Sequence, residues 1–535
     1  MASGVLSEGE LVHPRMTRWV DGLRRRLWRM NPRVVLIAAA FVAGAAVLLM
    51  YDPLRQIETG DEAGYDYIAQ CILRGQIPYR DVVDSKAPLG MYLSALAMAT
   101  GRVFGVQDVI AVRLLYAAFS GILCAIIYLV AESYFESRLA GAIAFLVPLL
   151  SGQFVLMMAG GTRPKIPLII FGLLTLLLIA RDKPFLAGLC SMLACLCWQP
   201  GLAFTGIGFL MFSQYLTSWR DRRAIRVLLG AAIPLAFVLS YFWFAGALRD
   251  LWLWTIHYNY SVYLPEGNES AATSAALTWK LVRESFAANG IWLKLSMAGA
   301  LLYLIERIWI RVRERKLTTI TNVWRDALLM PPLVHLAFCI VNWPGPDNLI
   351  PFLPFIGLFA GYCVVTLARI IAAIPVVRLN AFATRAIGWA PAVPLILLVL
   401  SVVHNARGYQ IGPGRTLGDQ QAAFKPVSDI LGPDDKIYVH GTAQLLVFMN
   451  RANLNPYIFL PYGKDEYIAS RRPGGFKAFI DEMDAEAPKV IALSRLRTIW
   501  HGDDLLNWVE KRYVRLPITD FAHNGVYIRK EEYRR

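Results

Sequence analysis

The chain has 535 residues, of which 56% are hydrophobic and only 17% charged, and its mean hydropathy is +0.45. That is too apolar for a soluble protein of this length and predicts a polytopic α-helical membrane protein. The net charge of +15 does not point to nucleic acid, because the basic residues cluster between apolar runs, where positive loops orient membrane helices.

Residues 1–33 carry a long basic stretch without a small-residue cleavage site. They read as a cytoplasmic tail held inside by Arg24, Arg25, Arg26, Arg29 and Arg33. Apolar runs then predict about eleven spans, at about 34–50, 110–131, 139–158, 166–180, 185–198, 201–217, 227–246, 290–306, 327–342, 349–368 and 386–403. If the first crosses outward, the basic connections at Arg138, Arg181–Lys183, Trp219–Arg226, Arg307–Lys316 and Arg369–Arg385 all fall on the inner side. Residues 57–105 then form a large, charged first outer loop. Its last part, Pro88 to Gly105, is short and rich in Gly, Ala and Thr, and is expected to lie as a helix in the outer interface. A second large outer loop, about 247–289, carries Trp252, Trp254, Tyr258, Tyr260 and Tyr263, a density expected at the lipid headgroups.

The transmembrane part spans 34–403. From His404 the apolar runs shrink to strand length. KIYVHG, TAQLLVFMN, FKAFIDEMDA, KVIALS, DLLNWVEKRY and GVYIRK read as β-α-α-β-α-β, a C-terminal extracytoplasmic α/β domain over 404–535. It has neither a GxGxxG loop nor a P-loop, so nucleotide binding has no support. Two roles fit it: a cap packed on the outer loops, or a module that recognises an acceptor.

Chemistry-bearing residues gather on the outer loops. Asp61-Glu62 follows the first span by about ten residues. One reading is a helix start, with Thr59 or Asp61 as the cap and Glu62 in the first turn. The other is a carboxylate at the water–lipid boundary, able to take a proton from a hydroxyl or amine. Lys86, before Pro88, is either an interfacial anchor or a cation beside a lipid phosphate. Thr162-Arg163-Pro164-Lys165 offers two more cations, of which Arg163 has the planar fork that suits phosphate. The seven histidines are scattered without ligand spacing, and the seven cysteines show no disulfide framework or zinc pattern. Asn259-Tyr260-Ser261 and Asn268-Glu269-Ser270 match a short glycosylation sequon.

GDEAGYDYIAQCILRGQIPYRDVVDSKAPLGMYLSAL resembles the first extracytoplasmic loop of the polyprenyl-phosphate-sugar-dependent glycosyltransferases. These form the membrane glycosyltransferase C superfamily, in its branch with protein O-mannosyltransferases and the aminoarabinose and galacturonic acid transferases. The shared order is an acidic pair, a helix containing Tyr65, a Gly-x-x-Pro-Tyr turn ending at Tyr79, then Lys-x-Pro-Leu at Lys86 and an aromatic helix. The resemblance is strongest over about 57–180. It implies Asp61, with Glu62 beside it, as the catalytic base, and Lys86 near the donor phosphate. It further implies a metal-independent or weakly metal-linked inverting transfer of a hexosyl or pentosyl group, with no cofactor and a divalent cation left open. The partners implied are a polyprenyl-phosphate sugar donor, a glycolipid, polysaccharide or protein acceptor, and the lipid bilayer. The location implied is a bacterial inner membrane with the site facing outward.

The sequence departs from that pattern in two places. Relatives often carry an acidic residue where this chain has Thr162-Arg163-Pro164-Lys165, and many have a lysine at the turn that here reads Trp198-Gln199-Pro200. Arg163 and Lys165 are therefore expected to take part of the phosphate contact, with Tyr65, Tyr79 and Gln199 as acceptor or loop support. A ligase or polymerase using diphosphate-linked oligosaccharide, and a lipid-oligosaccharide transporter or flippase, are the alternatives. A transporter should place charges within spans and show paired broken helices, whereas here the acids sit on outer loops.

Overall fold

The computed structural model describes residues 31–213, 222–266, 270–286, 289–314, 323–341, 346–373, 392–441, 443–517 and 525–533. Most of the N-terminal basic tail, Asn268, and parts of the basic connections around 219–221, 315–316 and 378–385 lie outside them.

Every run expected to span is mostly helical over its described residues. Helix α1 (Pro32–Met50) starts where Asn31 accepts a hydrogen bond from the Arg33 N–H, with Pro32 in the first turn. By length and composition, five helices among the described residues suffice to cross a bilayer: Pro32–Met50, Asp108–Phe135, Arg223–Phe244, Val323–Val341 and Asn348–Ile371. The expected 139–158 span is not straight. Arg138–Leu150 and Gly152–Ala159 meet at 75°, where Ser151 leaves the helix and caps the next one through the Phe154 N–H. Lys165–Ala180, Pro184–Cys197 and Val393–Gly408 are shorter apolar helices. Against about eleven expected spans, the described residues thus hold five helices of spanning length, one bent pair and three shorter apolar helices.

The outward faces are apolar. Leu228, Leu229, Ile233, Phe237 and Trp243 all project from Arg223–Phe244 and are exposed, a surface suited to lipid tails rather than water. Where this helix crosses Pro184–Cys197, glycines let the backbones touch. A Cβ at Gly188 would lie 1.9 Å from the Val227 carbonyl oxygen, and one at Gly230 would lie 2.0 Å from that of Phe185. Small residues at crossings are how helices pack tightly in lipid.

The first outer loop folds into two helices, α2 (Gly60–Leu73) and α3 (Leu89–Val103), ahead of the long α4 (Asp108–Phe135). Leu96, Val103 and Phe104 stand exposed on and just past α3. In the C-terminal part, β1 (Ile437–His440), β2 (Val490–Leu493), β3 (Tyr513–Arg515) and β4 (Gly525–Arg529) form one sheet of order β1-β2-β4-β3. β1 and β2 are parallel, and β4 is antiparallel to both β2 and β3. Strand β3 and helix Lys464–Ala469 are additions to the expected element order.

This sheet domain shares its core with the first outer loop. Ala63, Tyr67, Ile68 and Cys71 of α2 pack in one cluster with Leu445, Val447 and Ile458 and with strand residues Val439 and Val490. Polar contacts fix the join: the Tyr67 hydroxyl accepts from the Asn453 N–H at 2.7 Å, and Gln420 both accepts from the Glu58 N–H and donates to the Glu58 carbonyl. The aromatic run of the second outer loop divides. Trp252 and Tyr260 are exposed, but Trp254 and Tyr258 are buried with Tyr467 of the C-terminal domain. Protein, not headgroups, covers that half.

Candidate functional site: a cationic cavity around Asp61

Two faces of α2 carry acids. Glu62 and Asp66, four residues apart, fall on one side, and Glu58 joins them from the segment just before the helix. All three are buried. Arg113, on α4, donates to Glu58 at 2.8 Å and also to the carbonyls of Pro53, Gln56 and Ile57. Glu62 is gripped by Arg163 and by the Thr59 hydroxyl. Asp66 accepts from the Thr162 hydroxyl at 2.5 Å. Burial pushes the Asp66 carboxyl up to about 7, against the lowering effect of that hydrogen bond. This row of acids anchors the Thr162–Lys165 segment to α2.

Asp61 faces the other way. Its side chain is 53% exposed, with Arg163 Nη1 at 3.7 Å. With Gly64 and Tyr65 it lines a cavity of about 330 Å³. Five cationic side chains, Lys86, Arg163, Lys165, Lys464 and Arg495, meet two carboxylates there, Asp61 and Asp84. The excess of positive charge makes it an anion site.

Lys86 is held by its own loop. The Tyr79 hydroxyl donates to the Lys86 carbonyl at 2.7 Å, and the Lys86 N–H donates to Asp84 at 2.6 Å. Gln199 and Asn259 each donate to the Ser85 carbonyl at 2.8 Å. Tyr79 itself sits at φ 72, a left-handed conformation rare for a non-glycine residue. The Lys86 ammonium lies between the rings of Trp198, 5.9 Å away, and Tyr263, 5.3 Å away. Burial alone would lower its pKa, but Tyr263, Asp84 and Asp61 more than offset this and leave it raised. Lys165 lies 4.9 Å over the same Trp198 ring. Trp198 also lines a small apolar crevice with Leu168, Ile169, Phe204, Val334 and Phe338, so charged and greasy spaces share one wall.

The residues read from the sequence are therefore distributed as follows. Asp61, Tyr65, Lys86, Arg163 and Lys165 meet at the cavity. Tyr79 and Gln199 lie outside its lining and support the Lys86 turn. Glu62, expected beside Asp61 as catalytic, is turned away into the Arg163 contact, because neighbours on a helix point about 100° apart. Asn259 of the first sequon is tied to the carbonyls of Ser85 and Thr255. Among the described residues no three His, Cys, Asp or Glu side chains gather as a metal site.

Sequence reasoning missed the C-terminal contribution of Phe459, Tyr462, Lys464 and Arg495. One signal was present: Arg495 follows the carboxyl end of β2 by two residues, and ligands of layered α/β sheets bind outside such ends. Glycines let this domain close on α2. A Cβ at Gly64 would be 2.5 Å from the Phe459 ring, and one at Gly60 would be 2.9 Å from the Arg495 guanidinium.

No family model matches the chain, and no curated protein sequence matches it. Solved structures do. The chain is similar to ArnT from Cupriavidus metallidurans bound to undecaprenyl phosphate, with 17% identity over 92% of this chain and 97% of ArnT, at a TM-score of 0.55. The apo state of the same protein gives 15% identity, 91% and 96% coverage and a TM-score of 0.56. The archaeal oligosaccharyltransferase AglB from Archaeoglobus fulgidus, in complex with an inhibitory peptide and a dolichol-phosphate, gives 13% identity over 92% of this chain and 74% of AglB, at 0.51. The protein thus has the fold of these structures along nearly its whole length.

Proposed function

We propose that the protein is an integral membrane glycosyltransferase that moves a monosaccharide from a polyprenyl-phosphate donor to a glycolipid, polysaccharide or protein acceptor. One observation carries this reading: a half-exposed carboxylate, Asp61, opens into a cavity ringed by cations, beside an apolar crevice on a tryptophan that lines both. The polyprenyl phosphates held by ArnT and AglB have the matching chemistry, an anion on a hydrocarbon chain.

In the reaction, Asp61 takes the proton from the acceptor hydroxyl or amine as its lone pair attacks the anomeric carbon. The bond from that carbon to the phosphate oxygen breaks with inversion, and its electron pair leaves on the polyprenyl phosphate. Lys86 and Lys165 stabilise the charge that develops there. Arg163, fixed by Glu62, sets the position of Asp61. A lipid-borne donor confines the sugar to the interface, which raises its effective concentration at the base. In this reading cavity and C-terminal domain lie on the extracytoplasmic side of a bacterial inner membrane, which the distribution of basic residues between the apolar runs supports.

The test is to purify the full chain in lipid nanodiscs and offer a panel of polyprenyl-phosphate hexoses and pentoses. Sugar-dependent release of polyprenyl phosphate, with thermal stabilisation by the cognate donor, is the expected result. Stabilisation by none of them, with binding of a diphosphate-linked oligosaccharide instead, would replace the reading.

A further inference from the structure

The cavity holds more positive charge than one lipid phosphate requires, and part of it comes from the C-terminal domain. Lys464 is only 6% exposed. Its ammonium rests 5.6 Å over the Tyr258 ring, and no carboxylate among the described residues forms an ion pair with it. A buried ammonium lacking a counter-ion is costly. Burial, with Lys86 close by, holds its pKa below the usual lysine range, although Asp84 opposes this.

The backbone around it is also unusual. Tyr462 and Arg495, both lining the cavity, adopt left-handed φ values of 60 and 55, and non-glycine residues in that region concentrate at ligand clamps. His440, the last residue of β1, is fully buried, neither ring nitrogen having a hydrogen-bond partner among the described residues, and the charges of Lys464 and Arg495 reach it. Arg495 lies against Gly60, next to Asp61. Lys86 and Lys165, by contrast, flank Trp198, the residue shared with the apolar crevice.

We propose that Lys464 and Arg495 form a second anion subsite in this cavity, which takes an acidic group of the acceptor, a phosphomonoester or a carboxylate. The inference rests on the donor reading above, in that Lys86 and Lys165 take the lipid phosphate. It narrows the acceptor to acidic glycans or glycolipids and makes the C-terminal domain part of the binding site.

The experiment titrates inorganic phosphate, and separately glucuronate, into the full-length protein in nanodiscs, with and without saturating undecaprenyl phosphate. Wild type is expected to bind one of the two anions while the lipid is bound, the effective anion identifying the acidic group. Lys464→Met and Arg495→Gln should weaken that binding about tenfold, with undecaprenyl phosphate affinity within about threefold of wild type, and Lys86→Ala should do the reverse. Lys464→Arg should restore anion binding. If neither anion binds the lipid-loaded wild type, the inference is overturned without recourse to any variant. If Lys464→Met loses undecaprenyl phosphate as Lys86→Ala does, the five cations serve one donor headgroup and the inference is likewise overturned. If wild type binds phosphate through Lys464 but not undecaprenyl phosphate, the anion subsite stands and the donor reading falls.

Discussion

The two charged faces of α2 put the same side chains to opposite use. On one, Glu62 and Asp66, with Glu58 just ahead of the helix, are buried and each is bound by a side chain from another part of the chain. On the other, Asp61 stands half-exposed in a cavity where cations outnumber carboxylates. A buried, paired acid orients the scaffold around it, while one that opens into a cavity can exchange a proton with a bound molecule. Burial, not acidity, separates the two sets.

The comparison breaks most sharply at Asp61. Asp61→Asn keeps the shape and removes the base, so turnover should fall about 10²–10⁴-fold with undecaprenyl phosphate affinity unchanged. Turnover close to wild type would move the base elsewhere. On the buried face the loss should be of fold instead. Arg113→Met strands Glu58 and three carbonyls, and removing one partner of a buried pair costs about 3–5 kcal/mol. A large drop in thermal midpoint is expected, and an unchanged one would show that water reaches this pair.

Asp66 sharpens the contrast through pH. Its folded pKa of about 7 lies above the unfolded carboxyl value of about 3.9, so the native state binds the extra proton between them. Its stabilising contribution is present below about pH 4 and is lost as pH rises through about 7. One of its oxygens has no hydrogen-bond partner among the described residues, as a charge-averse site would have. Asp66→Asn should therefore flatten the fall in thermal midpoint between pH 5 and pH 8, and a slope equal to that of wild type would assign the titration to another group. The smallest effect is expected at the join of the two regions. Gly64→Ala pushes on the Phe459 ring, and overpacking of this kind costs about 1–3 kcal/mol. It should also loosen anion binding at the C-terminal wall without touching the buried acids.

Much of this was legible because one contiguous stretch carries it. Asp61 and Lys86 lie 25 residues apart on the same loop, and Arg163 and Lys165 follow from helix parity, since each apolar run is mostly helical. That Glu62 points away from the cavity was not legible, because adjacency in sequence says nothing about which face a helix presents. Lys464 and Arg495 were hidden for a different reason. They reach the cavity only through docking of the sheet domain on Gly60 and Gly64, and no local pattern encodes a contact across some 400 residues of chain. The bend at Ser151 was also hidden, as hydropathy reads through a short break in an apolar run.

The central claim is that this cavity receives a lipid phosphate on Lys86. Titrating undecaprenyl phosphate into the full-length protein, into Lys86→Ala, and into Lys425→Ala, which changes only a surface pair with Asp429, tests it most directly. The account predicts tight binding by wild type and Lys425→Ala, and an affinity about 10–100-fold weaker for Lys86→Ala. Equal affinity in all three would contradict it.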